Sequence, residues 1–125
     1  MPILHSKHGQ YAEQIVIREF SEVIGLQENI ASWKQLLSSN LINEKTVGVI
    51  HNLSNGKLKM DSHDLDELIF FLKNEPIIRK LKQAVISQSP SDIVLPMLAK
   101  HREQTLLIEP FSTMDAATRW IIHGY

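Results

Sequence analysis

Hydrophobic positions along the chain alternate between two spacings, and the alternation itself predicts an architecture. Gln14 to Phe20 (QIVIREF) is a short β-branched run, with Ile15 and Ile17 on one face of a strand. From Leu26 the spacing changes. Leu26, Ile30, Trp33 and Leu37 recur along one helical face, and Ser38-Ser39-Asn40 ends the run. Thr46 to Leu53 (TVGVIHNL) reads as a central strand, where Gly48 marks close packing against a helix. Leu65, Leu68, Ile69 and Leu72 then define the core face of a second helix, which Asn74-Glu75-Pro76 closes.

The second half repeats the pattern. Lys82 to Gln88 predicts a third strand and Ser89-Pro90 a helix start. Ile93, Val94, Met97 and Leu98 keep helical spacing, with a kink or restart near Leu95 because Pro96 falls inside. Thr105 to Glu109 predicts a fourth strand, and Ser112 to Asp115 a capping box. Ala116, Ala117, Trp120 and Ile121 give the last helix a buried face that ends near Gly124. Residues 1–10 show little periodicity, as a loose arm or an added edge strand would. The order β-α-β-α-β-α-β-α predicts a single α/β domain over residues 1–125, with a mostly parallel four- to five-stranded sheet and packed helices.

Two details of the middle stretch bear on function. Asn55-Gly56 is a turn signal, either for a tight hairpin back from Lys57–Met60 or for a loop toward the next helix. The hairpin's return strand would be only about four residues, short of the usual five or six, which favours the loop. After it, Asp61 or Ser62 can cap the helix, and Asp64, Asp66 and Glu67 complement its dipole. Phe70 and Phe71 widen the apolar surface of that helix, as burial under a neighbouring helix or a partner surface requires.

Composition narrows the function classes. The 125 residues are 43% hydrophobic and 22% charged, ordinary values for a chain with one core. Thirteen basic and fourteen acidic residues nearly cancel, so no global field draws nucleic acid. Cysteine is absent, which removes thiol catalysis and thiolate metal sites and suits a reducing compartment. The start MPILHSKHGQ has no signal-peptide character, and no apolar run reaches the roughly 20 residues of a membrane span. A cytoplasmic protein is the expectation.

Chemistry-bearing motifs are sparse. There is no Gly-x-Ser-x-Gly elbow, no glycine-rich phosphate loop and no His-Glu-x-x-His. His51 and His63, with Asp61 or Asp64, would make a metal site or a hydrolytic centre only if the fold joined them. The balance favours no enzyme, no cofactor and no metal.

The middle of the chain resembles the STAS family, the domain of bacterial anti-sigma-factor antagonists typified by SpoIIAA-like proteins. In that family a strand ending Asp-Leu-Ser leads to Asp-Ser-Ser-Gly-Leu and an apolar helix. Here the text is Asn52-Leu53-Ser54, then Asp61-Ser62-His63-Asp64-Leu65. The ending TLLIEPFSTMDAATRWI is similar to that of small SEC14/STAS-like bacterial proteins. The resemblance covers about residues 14–122. It implies a non-catalytic regulatory or protein-interaction module whose surface includes Asn52, Ser54, Asp61, Ser62 and His63. By position, Ser62 carries over as the residue that a partner kinase phosphorylates in the family. Asn52 replaces an Asp, His63 a Ser and Asp64 a Gly, and Asp64 would repel an added phosphate. The alternative implied by the SEC14-like ending is a small apolar-ligand or lipid carrier with a cavity lined by Phe70, Phe71, Ile93 and Met97. Partners expected on these readings are an unidentified protein, a second copy of the chain, or a lipid.

Overall fold

The structure is a computed structural model that describes residues 2–92 and 94–124. Its main sheet has five strands: β1 (Ile3–Lys7), β2 (Ile15–Phe20), β4 (Gly48–Asn52), β6 (Lys82–Ile86) and β7 (Leu107–Phe111). They lie side by side in that order. All neighbours are parallel except β1, which runs antiparallel to β2 and pairs Ile3 with Phe20. Residues 3–7 are thus the added edge strand, not a loose arm.

Helix α1 (Leu26–Ser38) connects β2 to β4, α2 (Ser62–Asn74) and the short α3 (Pro76–Arg79) connect β4 to β6, and α4 (Val94–Arg102) leads into β7. Each crossover steps one strand in the same direction. Crossovers of one hand that advance in one direction fall on one face of a sheet. Accordingly α1, α2 and α4 share a core with Val16, Phe20, Val49, Val85 and Ile108. The opposite face is left to α5 (Met114–His123), which packs Ala117 and Ile121 on Ile15, Ile50 and Ala84.

Gly48 is needed for that packing, since a Cβ there would stand 2.5 Å from Ile121 Cγ2. Gly56 has a similar reason, because a Cβ would lie 2.6 Å from the Phe20 carbonyl oxygen. The Asn55-Gly56 turn opens no hairpin with β4. It leads into β5 (Lys57–Leu58), which pairs in parallel with β3 (Val23–Ile24) as a separate two-stranded ribbon.

Several helix faces differ from expectation. In α1 the buried residues are Leu26, Asn29, Ser32, Trp33 and Leu36, while Ile30 and Leu37 sit at the margin. The face is rotated because two polar side chains, Asn29 and Ser32, have partners below them on the sheet. In α4 Pro96 and Ala99 face inward, while Val94, Met97 and Leu98 are exposed. The expected restart near Leu95 is present, since a 3₁₀ turn at Pro90–Asp92 precedes α4, which begins at Val94 and has Pro96 as its third residue, where first-turn N–H groups have no helical acceptor. Ile93 lies outside the described residues. Strand β7 begins two residues later than the TLLIE run. Thr113, not Ser112, caps α5 and accepts from the Ala116 N–H at 3.1 Å, so Asp115 closes no capping box.

Candidate functional site

The junction from Asn52 to Asp64 is built from local polar contacts. Asn52 ends β4, and its Oδ1 accepts from the Ser54 N–H at 3.0 Å, turning the chain off the sheet. Asp61 is the N-cap of α2. Its Oδ1 accepts from the Asp64 N–H at 2.8 Å, while the Asp61 N–H donates to Asp64 Oδ2 at 3.2 Å. This reciprocal box uses Asp where Glu or Gln is usual. Ser62 is therefore the first helical residue, not the cap. Arg102 at the end of α4 donates from Nη2 to Ser62 Oγ at 2.8 Å and from Nη1 to Asp66 Oδ1 at 2.9 Å. His63 is exposed and pairs with Glu67 at 3.1 Å one turn on.

Ser54 lies elsewhere on this surface. Loops leaving the carboxyl ends of β2, β4 and β6 meet around an open groove of about 500 Å³, edged by Glu22, Ser54, Lys57, Gln88, Ser89 and Asp92. In open α/β sheets the crevice beyond the carboxyl ends of the strands is the usual ligand or partner site.

His51 does not join His63. It lies on β4 beneath α1, at the centre of a buried polar network that the sequence reading missed. Arg18 on β2 is 1% exposed and lies beside His51 in register. Its Nε donates to Ser32 Oγ at 3.2 Å and its Nη1 to His51 Nδ1 at 3.1 Å. Its Nη2 donates to both the Asn29 carbonyl at 3.2 Å and Asn29 Oδ1 at 2.7 Å. His51 Nε2 lies 3.1 Å from Gln83 Oε1. A ring that accepts from Arg18 at Nδ1 must carry its proton on Nε2 and give it to Gln83. Ser32 Oγ, which accepts from Arg18, also forms a hydrogen bond with His5 Nε2 at 2.6 Å.

Burial and the Arg18 charge push the His51 pKa down to about 3, so the ring is neutral. Burial lowers Arg18 to about 9, which still leaves it a cation at neutral pH. His5 is lowered for the same two reasons as His51. The guanidinium stands 4.6 Å from the Trp33 ring centroid and 5.1 Å from that of Phe20. No carboxylate among the described residues pairs with it.

A cavity of about 60 Å³ adjoins this network between the sheet and helices α1, α2 and α4. Arg18, Asn29, His51 and Gln83 line its polar end, and Leu53, Leu65, Leu68, Leu72, Leu95 and Ala99 its apolar walls. It is not the cavity expected of a lipid carrier, because Phe70 and Met97 point to solvent, with Phe70 66% exposed. Phe71 packs at the core margin. Among the described residues no group of three or more His, Asp or Glu side chains is placed to hold a metal, and no helix is long and apolar enough to cross a membrane.

The signal for Arg18 was present in the strand itself. If Ile15 and Ile17 face one way, Val16, Arg18 and Phe20 face the other. A parallel strand covered on both sides buries both sets.

No family model matches the chain, and no curated protein matches it. Among solved structures, the crystal structure of an uncharacterised DUF3478 family protein from Shewanella loihica, with a SpoIIAA-like fold, superposes with a TM-score of 0.62. The match covers 95% of this chain and 91% of that one at 15% identity. The fold is SpoIIAA-like. At that identity the likeness fixes the arrangement of strands and helices and leaves the use of the surface to be argued from this chain.

Proposed function

We propose that this SpoIIAA-like chain is a non-catalytic regulatory or protein-interaction module of the cytoplasm. Its working surface is the run from Asn52 to Asp64, which takes in part of the strand-end groove and the start of α2. The observation that carries this reading is the convergence of three strand-end loops on one open groove rimmed by Ser54 and Lys57. A partner protein, or a second copy of the chain, reads that edge. Ser62 gives the surface a means of control. Its hydroxyl already touches Arg102, so a phosphate added there would meet a guanidinium and the amino end of a helix, offset by the charges of Asp64 and Asp66.

Affinity capture from the native host tests the reading with three baits. The wild type and an Arg119→Glu variant on the remote face of α5 are expected to recover the same partner. A Ser54→Arg, Lys57→Glu double variant is expected to lose it. Capture that is indifferent to the loop substitutions would overturn the placement of the surface. Unchanged binding by Ser62→Ala and by Ser62→Glu would remove the control function.

A further inference from the structure

The interior of the molecule contains a charge that no carboxylate among the described residues neutralises. A guanidinium has five N–H groups. In Arg18 one bonds Ser32, two bond Asn29 and one bonds His51, which leaves one Nη1–H without a partner among the described residues. Gln83 is 3% exposed, and its Nε2 has no hydrogen-bond partner among them either. Both side chains line the same cavity and flank the same imidazole, one bonded to each ring nitrogen. A buried cation without a counter-ion and a buried amide without an acceptor are each costly. Here the two lie next to a cavity whose other walls, apart from Asn29 and His51, are apolar, with Phe20, Trp33 and Val85 beside the leucines and Ala99.

We propose that this cavity is a binding site for a short-chain monocarboxylate, held by its two oxygens against Arg18 and Gln83 with its aliphatic part among Leu53, Leu68, Leu72 and Ala99. The charge of Arg18 calls for an anion. The donors available suit a planar two-oxygen group, which guanidinium and amide N–H groups recognise well. The apolar walls exclude an ion charged all round, such as free phosphate. The volume sets the length. A cavity of about 60 Å³ exceeds what one water needs and falls well below the ~150 Å³ that accepts benzene, which has as many heavy atoms as butyrate, so the acid has about two carbons, three at most. Neutral His51 completes the selection, because its single proton is committed to Gln83 and its lone pair to Arg18.

Calorimetric titration of the intact protein, prepared in a carboxylate-free chloride buffer, tests the site. Acetate, propionate and butyrate are the probes, with octanoate and propionamide as controls and Trp33 fluorescence as a second readout. Binding by the short acids, strongest for acetate or propionate, falling at butyrate and at least about tenfold weaker for propionamide and octanoate, is the expected result. Arg18→Met is expected to abolish binding. Should that variant fail to fold, Gln83→Leu retains the cation, removes one donor and is expected to weaken propionate by about tenfold. Equal binding of propionate and propionamide, tightest binding of octanoate, no binding of any short acid, or unaltered affinity in folded Gln83→Leu would each overturn the assignment.

Discussion

The outer junction from Asn52 to Asp64 and the inner cluster around Arg18 are both polar, and both meet on β4, yet they are constructed in opposite ways. Outside, each contact closes within two to four residues, except those made by Arg102: Asn52 with Ser54, Asp61 with Asp64, His63 with Glu67. Water satisfies whatever remains. Inside, every contact spans strands and helices far apart in sequence, from Arg18 to Asn29, His51 and, through Ser32, His5. Water is largely excluded, so an unmet donor costs much more there. Substitutions in the two regions should therefore separate cleanly, the inner ones acting on stability and on the cavity, the outer ones on partner binding.

The largest separation is expected at Trp33. Its ring covers Arg18 and meets the His51 ring edge-on at a centroid distance of 5.4 Å. Trp33→Ala should cost about 3–5 kcal/mol, from the lost volume and the opened roof over a buried cation. Urea unfolding measures it, and a loss below about 1 kcal/mol would mean that the inner cluster is loosely packed and the contrast is false.

Acid sharpens the same contrast. The His51 pKa is 6.5 in the unfolded chain and about 3 in the folded one. Between those values the unfolded state holds a proton that the folded state refuses. This contribution to stability is complete above the unfolded value and is lost as pH falls toward the folded one. The loss is about 2 kcal/mol between pH 7 and pH 5, with His5 acting in the same direction. Unfolding free energies at the two pH values, compared between wild type and His51→Gln, should show a shallower slope in the variant. Parallel slopes would assign the acid sensitivity to other groups.

How much could be read beforehand follows from the same difference in range. The β-α alternation, the core face Leu65-Leu68-Ile69-Leu72, the Gly48 contact and the Gly124 helix end are local periodicities or local backbone needs, and the chain displays them directly. The helix start at the outer junction was legible for that reason too, although its cap stayed open between Asp61 and Ser62 until the structure showed Asp61. The inner site was not. Asn29 and Ser32 look like ordinary solvent-facing helix residues until Arg18 is known to lie beneath them, and that requires the order of the strands. Residues 3–7 illustrate the same limit: nothing in ILHSK marks it as a strand apart from its partner β2.

On the outer side the first effect is a modest one. Asp61→Ala removes the side chain that accepts from the Asp64 N–H and should cost about 1 kcal/mol, measured by urea unfolding. A cost near that of Trp33→Ala would show that the junction supports the fold as much as the interior does.

Ser62→Ala should have the smallest effect of all. The hydroxyl accepts one hydrogen bond from Arg102 at an exposed position, and Arg102 keeps Asp66 and the Ser62 carbonyl when that bond is gone. The expected change in stability is within about 0.5 kcal/mol, and the coupling to Arg102→Ala in a double-mutant cycle should be no larger. That near-silence makes the variant useful. Because the fold scarcely registers the hydroxyl, any loss of partner capture by Ser62→Ala reports the surface itself. A coupling above about 1 kcal/mol would instead make Ser62 and Arg102 a structural clasp between α2 and α4, and would move this serine from the outer class of residues to the inner one.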